Sequence, residues 1–139
     1  MESKKVLLVD DDPNIRRIAQ IVLSNIGRYE VMLACCGADA IELATQSNPD
    51  LILMDVMMPD MDGPTTLTHI RSVPSLQNTP TIFITAKVQK HEMHVYKQQG
   101  ALGVITKPFD PMHLCNEIDK LLAASQVVTE NMQVPCKKA

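Results

Sequence analysis

The chain has 139 residues, 45% apolar and 21% charged, which fits one globular domain of ordinary composition. Its formal charge is −3 with no basic stripe, so direct nucleic-acid binding is not expected. Its longest apolar runs, such as Val6–Val9 and Leu51–Met54, fall far short of the ~20 residues that span a bilayer.

The run Val6–Val9 is continuously apolar, as in a strand buried on both faces. It stops at Asp10-Asp11-Asp12, too early for a signal peptide. Asp12-Pro13 reads as an N-cap followed by proline at the first helical position. Ile15, Ile18, Ala19, Val22, Leu23 and Ile26 then recur at helical spacing, and Gly27 is the expected C-cap. Glu30–Ala34 reads as a second strand and Ala38–Ser47 as a second helix, closed by the turn Asn48-Pro49-Asp50. The third strand, Leu51–Met54, leads into Asp55. A helix is expected over Pro64–Ser72, a fourth strand over Thr81–Thr85 and a polar helix over Lys90–Gln99. A short fifth strand follows over Val104–Thr106, and a last helix over Pro111–Ala124.

Strands alternating with helices predict an α/β fold, a parallel sheet covered on both faces. The folded unit is expected over 1–124, with 125–139 as an extension or linker stub. The cysteines at 35, 36, 115 and 136 form no CxxC pair and no disulfide framework, so free thiols in a reducing cytoplasm are expected.

Functional groups in open parallel sheets gather beyond the C-terminal ends of the strands. Here those ends carry Asp10 and Asp11, Asp55, Thr85 and, after the fifth strand, Lys107. Carboxylates packed together repel, and a hard divalent cation such as Mg2+ relieves that repulsion. With Lys107 alongside, Asp55 could serve as a nucleophile and become an acyl phosphate, with Thr85 donating a hydrogen bond to a transferring oxygen. Asp12 reads as a cap, Asp60 and Asp62 as turn residues. The methionines at 54, 57, 58 and 61 read as packing and loop filler. His91 and His94 share a helix face at i, i+3 without completing a ligand set.

VDDDP at 9–13, MDVMMPDMDG at 54–63, TA at 85–86 and KPF at 107–109 together resemble the receiver domain of two-component response regulators, over about Lys5 to Ala124. The resemblance implies a flavodoxin-like, doubly wound sheet of order 2-1-3-4-5. It implies Asp55 as phosphoacceptor, with Mg2+ held by Asp11, Asp55 and the Met57 carbonyl, and by Asp10 largely through water. Thr85 and Lys107 would contact the phosphoryl oxygens, and Lys107-Pro108 is commonly cis in the family. The phosphoryl donor would be a sensor histidine kinase or a histidine phosphotransfer protein. The downstream protein would meet the face of the fourth helix, fifth strand and fifth helix, and dimerisation through the last two helices is open. The chain would be a cytoplasmic signalling domain rather than an enzyme acting on external substrates. Val104 stands where many members carry Tyr or Phe, which removes the usual aromatic from the switch. Met57 and Lys87 fall where the family varies its dephosphorylation rate. Two competing readings are a haloacid-dehalogenase-type phosphatase, whose DxD motif Asp10-x-Asp12 formally fits, and a phosphorylation-independent adaptor of receiver architecture.

Overall fold

Five short parallel strands in the order β2-β1-β3-β4-β5 form the sheet of the computed structural model, which describes residues 4–86 and 90–124. The elements run β1 Lys5–Val9, α1 Pro13–Asn25, β2 Glu30–Ala34, α2 Gly37–Ser47, β3 Leu51–Asp55 and α3 Gly63–Arg71. A 3-10 turn at Pro74–Leu76 precedes β4 Thr81–Thr85, α4 Lys90–Gln98, β5 Gly103–Thr106 and a last helix, α5, described over 114–124. This is the flavodoxin-like order expected from the sequence. Lys87 and the tail 125–139, including Cys136, lie outside the described residues.

The period-two alternation of the strands splits the core into two halves. Leu7, Val9, Ile52, Met54 and Phe83 face one side, where Ala40 and Ala44 of α2, Leu67 and Ile70 of α3 and Tyr96 of α4 pack on them. Val6, Leu8, Leu53, Ile82, Ile84 and Ile105 face the other, under Ala19, Val22 and Leu23 of α1 and Leu114 and Ile118 of α5. β1, β3 and β4 are central and nearly wholly buried, which is why they read as unbroken apolar runs. Among the described residues no helix is long and apolar enough to cross a membrane.

Several boundaries move by one residue from the sequence reading, and three departures have a physical consequence. The C-cap of α1 is Ile26, and the left-handed residue after it is Arg28 (φ 59°), not Gly27. Gly27 is required for space: a Cβ there would lie 2.7 Å from the Tyr29 ring and 3.0 Å from Cys115 Sγ. The last helix begins at 114 rather than Pro111. Asp110 closes a turn first, accepting from the Met112 N–H at 2.9 Å while its carbonyl accepts from the His113 N–H at 2.9 Å. Finally, Asp55 belongs to β3 itself, paired in register with Ile84.

Candidate functional site

The site forms where β1, β3, β4 and β5 end together. Asp10 and Asp55 continue the parity of Leu8 and Leu53, so both carboxyl groups emerge on the α1/α5 side of the sheet. Both are buried, with 1% and 5% exposure. Asp10 is fixed by its backbone as well as its side chain. Its N–H donates to Ala34 O at 3.1 Å, its Oδ1 accepts from the Asp12 N–H at 2.9 Å, and its carbonyl accepts from the Arg16 guanidinium at 2.6 Å. Arg16 was not legible as part of the site, because nothing in its spacing ties a first-turn arginine to the carbonyl six residues back.

The loop after β3 is shaped around Asp55. Asp55 Oδ1 accepts from the Met57 N–H at 3.2 Å, and the Gly63 N–H donates to Val56 O at 2.8 Å. Gly63 lies so close that a Cβ there would sit 2.7 Å from the Asp55 carbonyl oxygen, which makes glycine obligatory at this contact. Asp60 takes the left-handed region at φ 69°, tolerable for Asp, and Asp62 caps α3 by accepting from the Thr65 N–H at 2.8 Å. Asp60 is a turn residue, as read from the sequence, whereas Asp62, also read as a turn residue, is the N-cap of α3.

Lys107 brings the opposite charge. Its Nζ lies 2.8 Å from Asp10 Oδ2 and 3.3 Å from Asp55 Oδ2. Its backbone N–H donates to Thr85 O at 2.8 Å, and the Lys107-Pro108 peptide is cis. Thr85 is buried at the end of β4 on the parity of Phe83, and its backbone carbonyl ties that strand end to Lys107.

Burial is the largest cause that pushes the Asp55 carboxyl up, to about 6. Repulsion from Asp10 adds to it, while Lys107 and the Met57 N–H oppose it. Burial also works to lower Lys107, but its contacts with Asp10 and Asp55 prevail and hold the ammonium above its usual range. Three carboxylates, Asp10, Asp11 and Asp55, thus gather beside a single ammonium.

Asp10, Asp11 and Asp55 each offer a carboxylate oxygen, all within 4.8 Å of one another. Asp10 Oδ2 is buried and, apart from its ion pair with Lys107, has no aligned hydrogen-bond partner. Hard oxygen donors with an unsatisfied buried lone pair suit a Mg2+ ion, so the residues present fit that group. Asp12 stays out of the cluster, its carboxylate accepting from the Asn14 N–H at 2.9 Å as the cap of α1. The Met57 side chain is solvent-exposed, so only its backbone serves this site. His91 and His94 are exposed on α4.

Comparison with known proteins matches the chain over residues 6–119 to the response regulator receiver domain. Response regulator Rre1 of Synechocystis sp. is 33% identical over 129 residues, covering 93% of this chain and 56% of that protein. Transcriptional regulatory protein SrrA of Staphylococcus aureus is 34% identical over 133 residues, covering 96% of this chain and 54% of that protein. The chain thus spans about half the length of these curated relatives. Among solved structures, the chemotaxis response regulator CheY4 of Vibrio cholerae superposes with a TM-score of 0.81 at 32% identity, over 86% of this chain and 99% of that one. A CheY-like receiver domain protein of Methanospirillum hungatei gives 0.78 at 25% identity, over 90% and 98%. With fold, strand-end cluster and sequence match in agreement, the chain belongs to the response regulator receiver domain family.

Proposed function

We propose that this receiver accepts a phosphoryl group on Asp55 from a phosphohistidine of a sensor kinase or phosphotransfer protein. The observation that carries the proposal is the buried Asp55 carboxylate at a strand end, 3.3 Å from the Lys107 ammonium and beside two more carboxylates. In the transfer, an Asp55 oxygen forms a bond to phosphorus as the P–N bond of the donor breaks. The bonding pair returns to the imidazole nitrogen, and the product is an acyl phosphate. Lys107 would neutralise a phosphoryl oxygen, and the Thr85 hydroxyl would donate to another. Asp10, Asp11, Asp55 and the Met57 carbonyl would hold Mg2+, which when bound supplies charge neutralisation on the transferring oxygens.

The downstream partner would be met by α4, β5 and α5. Val104 pairs in register with Phe83, and the Phe83 ring makes an edge contact with Tyr96 of α4 at a centroid distance of 5.3 Å. With no aromatic on β5 to swing, a shift of Thr85 would pass through β4 and this ring contact to α4, biasing a two-state equilibrium. The receiver unit would occupy 1–124, with 125–139 as an extension, in keeping with a family match that ends at 119. Two relatives that match over most of this chain are regulators about twice its length, one of them transcriptional by name, so a nucleic-acid output would fit a longer protein. The chain itself, at net charge −3, is better suited to protein partners. A cytoplasmic location and action on no external substrate complete the proposal. The phosphatase reading is not favoured, since the family match to the receiver domain runs over residues 6–119.

Intact-mass spectrometry after incubation with acetyl phosphate tests the reading. One Mg2+-dependent phosphoryl addition is expected on the wild type and none on Asp55→Asn. Equal uptake by the mutant overturns it, and no uptake by a wild type given both acetyl phosphate and a cognate phosphohistidine donor favours the adaptor reading.

A further inference from the structure

A second convergence of ligand atoms lies at the β2–α2 corner, separate from the carboxylate–lysine cluster. Cys35 and Cys36 follow β2, and Asp39 stands in the first turn of α2. One ligand atom from each of the three lies within 4.8 Å of the others. Cys35 and Asp39 are exposed and Cys36 is half-buried, so the group is reachable from solvent. The Cys35 thiol donates to Asp39 Oδ2 at 3.3 Å. Cys36 occupies the N-cap position of α2, yet its side chain makes no capping hydrogen bond, so the helix start does not engage its sulfur.

We propose that Cys35, Cys36 and Asp39 form a binding site for a thiophilic divalent cation of the Zn2+ class, with water completing a four-coordinate shell. Two sulfurs and one carboxylate oxygen are the donor types such a cation takes. Binding forms two metal–sulfur bonds and one metal–oxygen bond, and the two thiol protons leave to solvent. The Cys35 thiol hydrogen points at Asp39 Oδ2, and the cation takes the place of that hydrogen between sulfur and carboxylate. Two thiolates and a carboxylate around a divalent ion leave one negative charge, which the N-terminal end of α2 favours. A Cys35–Cys36 disulfide competes poorly. Consecutive Cα atoms stand roughly 3.8 Å apart, below the ~4.4–6.8 Å a disulfide usually spans. The cysteine spacing gave no metal signature because the third ligand is a carboxylate that one helical turn brings back to Cys35.

Co2+ serves as the spectroscopic probe for Zn2+. The reduced, tag-free full chain is titrated with Co2+ in excess Mg2+, which keeps the Asp10–Asp11–Asp55 cluster occupied. The expected result is a thiolate-to-cobalt charge-transfer band in the near ultraviolet that saturates at one equivalent and collapses on adding Zn2+. Cys35→Ser and Cys36→Ser should each abolish it while keeping the wild-type circular dichroism spectrum, and Cys136→Ser should leave it unchanged. Asp39→Asn should keep a band but weaken binding by at least ~10-fold, as for lost support of a metal ligand. No band in the wild type, or a band that survives in both cysteine variants, overturns the site. Unchanged affinity in Asp39→Asn overturns the three-ligand assignment.

Discussion

Lys107 Nζ stands 2.8 Å from Asp10 Oδ2, a buried ion pair that joins the end of β1 to the residue after β5. The same ammonium lies 3.3 Å from Asp55 Oδ2, so one cation is shared by two carboxylates. Removing it leaves Asp10 and Asp55 facing each other. Lys107→Met should cost about 1–3 kcal/mol at pH 8, below the range for a fully buried pair because Lys107 keeps partial access to water. Urea denaturation at pH 5 and pH 8 checks the cause. The deficit should grow with pH, because the repulsion appears only as Asp55 ionises; an equal deficit at both would assign it to packing.

Asp55 itself sets a pH dependence. Its folded carboxyl is raised from 3.8 to about 6, first by burial and then by Asp10. The folded state thus holds a proton that the unfolded chain has released, and its stability falls as pH rises from the unfolded value through about 6. Asp55→Asn should abolish that fall and stabilise the protein at pH 7.5 by about 1–3 kcal/mol. Thermal melts from pH 4.5 to 8 read this directly. The gain should shrink toward pH 4.5, where the wild-type carboxyl is protonated.

The same ionisation should govern Mg2+. Binding needs the carboxylates deprotonated, so Mg2+ affinity should fall as pH drops through about 6. Saturating Mg2+ should raise the wild-type melting temperature at pH 7.5 and raise that of Asp55→Asn less. Isothermal titration at pH 5 and pH 7.5 separates this from nonspecific screening, which would act equally at both.

Gly63→Ala tests the loop geometry. A Cβ at 2.7 Å from the Asp55 carbonyl oxygen forces the backbone apart at the site, so both stability and Asp55 phosphorylation should fall. Arg71→Ala makes the contrast. Its guanidinium donates to Leu76 O at 2.9 Å, Thr79 O at 2.7 Å and Gly100 O at 3.1 Å, holding the sheet's far end. Its loss should cost about 2–3 kcal/mol in urea while phosphoryl uptake below the melting range stays unchanged.

Much of this architecture was legible because buried parallel strands announce themselves. Val6–Val9 and Leu51–Met54 are unbroken apolar runs, and each leads directly into a buried carboxylate of the site, Asp10 or Asp55. The four strand-end motifs then named the fold and the acidic cluster together. What was not legible depends on contacts between residues remote in sequence or on backbone detail. Gly27 looked like a helix terminator, yet its role is to admit the Tyr29 ring, and Arg28 takes the left-handed turn. Pro111 looked like a helix start, but the Asp110 carboxylate captures the next turn first. Arg16 and Arg71 reach backbone carbonyls that no spacing rule connects to them. The Cys35–Asp39 contact was hidden because metal motifs are written in cysteine pairs.

Chemical mapping of the modified residue decides whether Asp55 is the phosphoacceptor. The wild type is phosphorylated with acetyl phosphate and Mg2+, then reduced with borohydride, which converts an aspartyl phosphate to homoserine. Tandem mass spectrometry of the peptides covering residues 6–16 and 51–62 should then place homoserine at position 55 alone. Homoserine at Asp10, Asp11 or Asp60 instead, with Asp55 intact, would contradict the account.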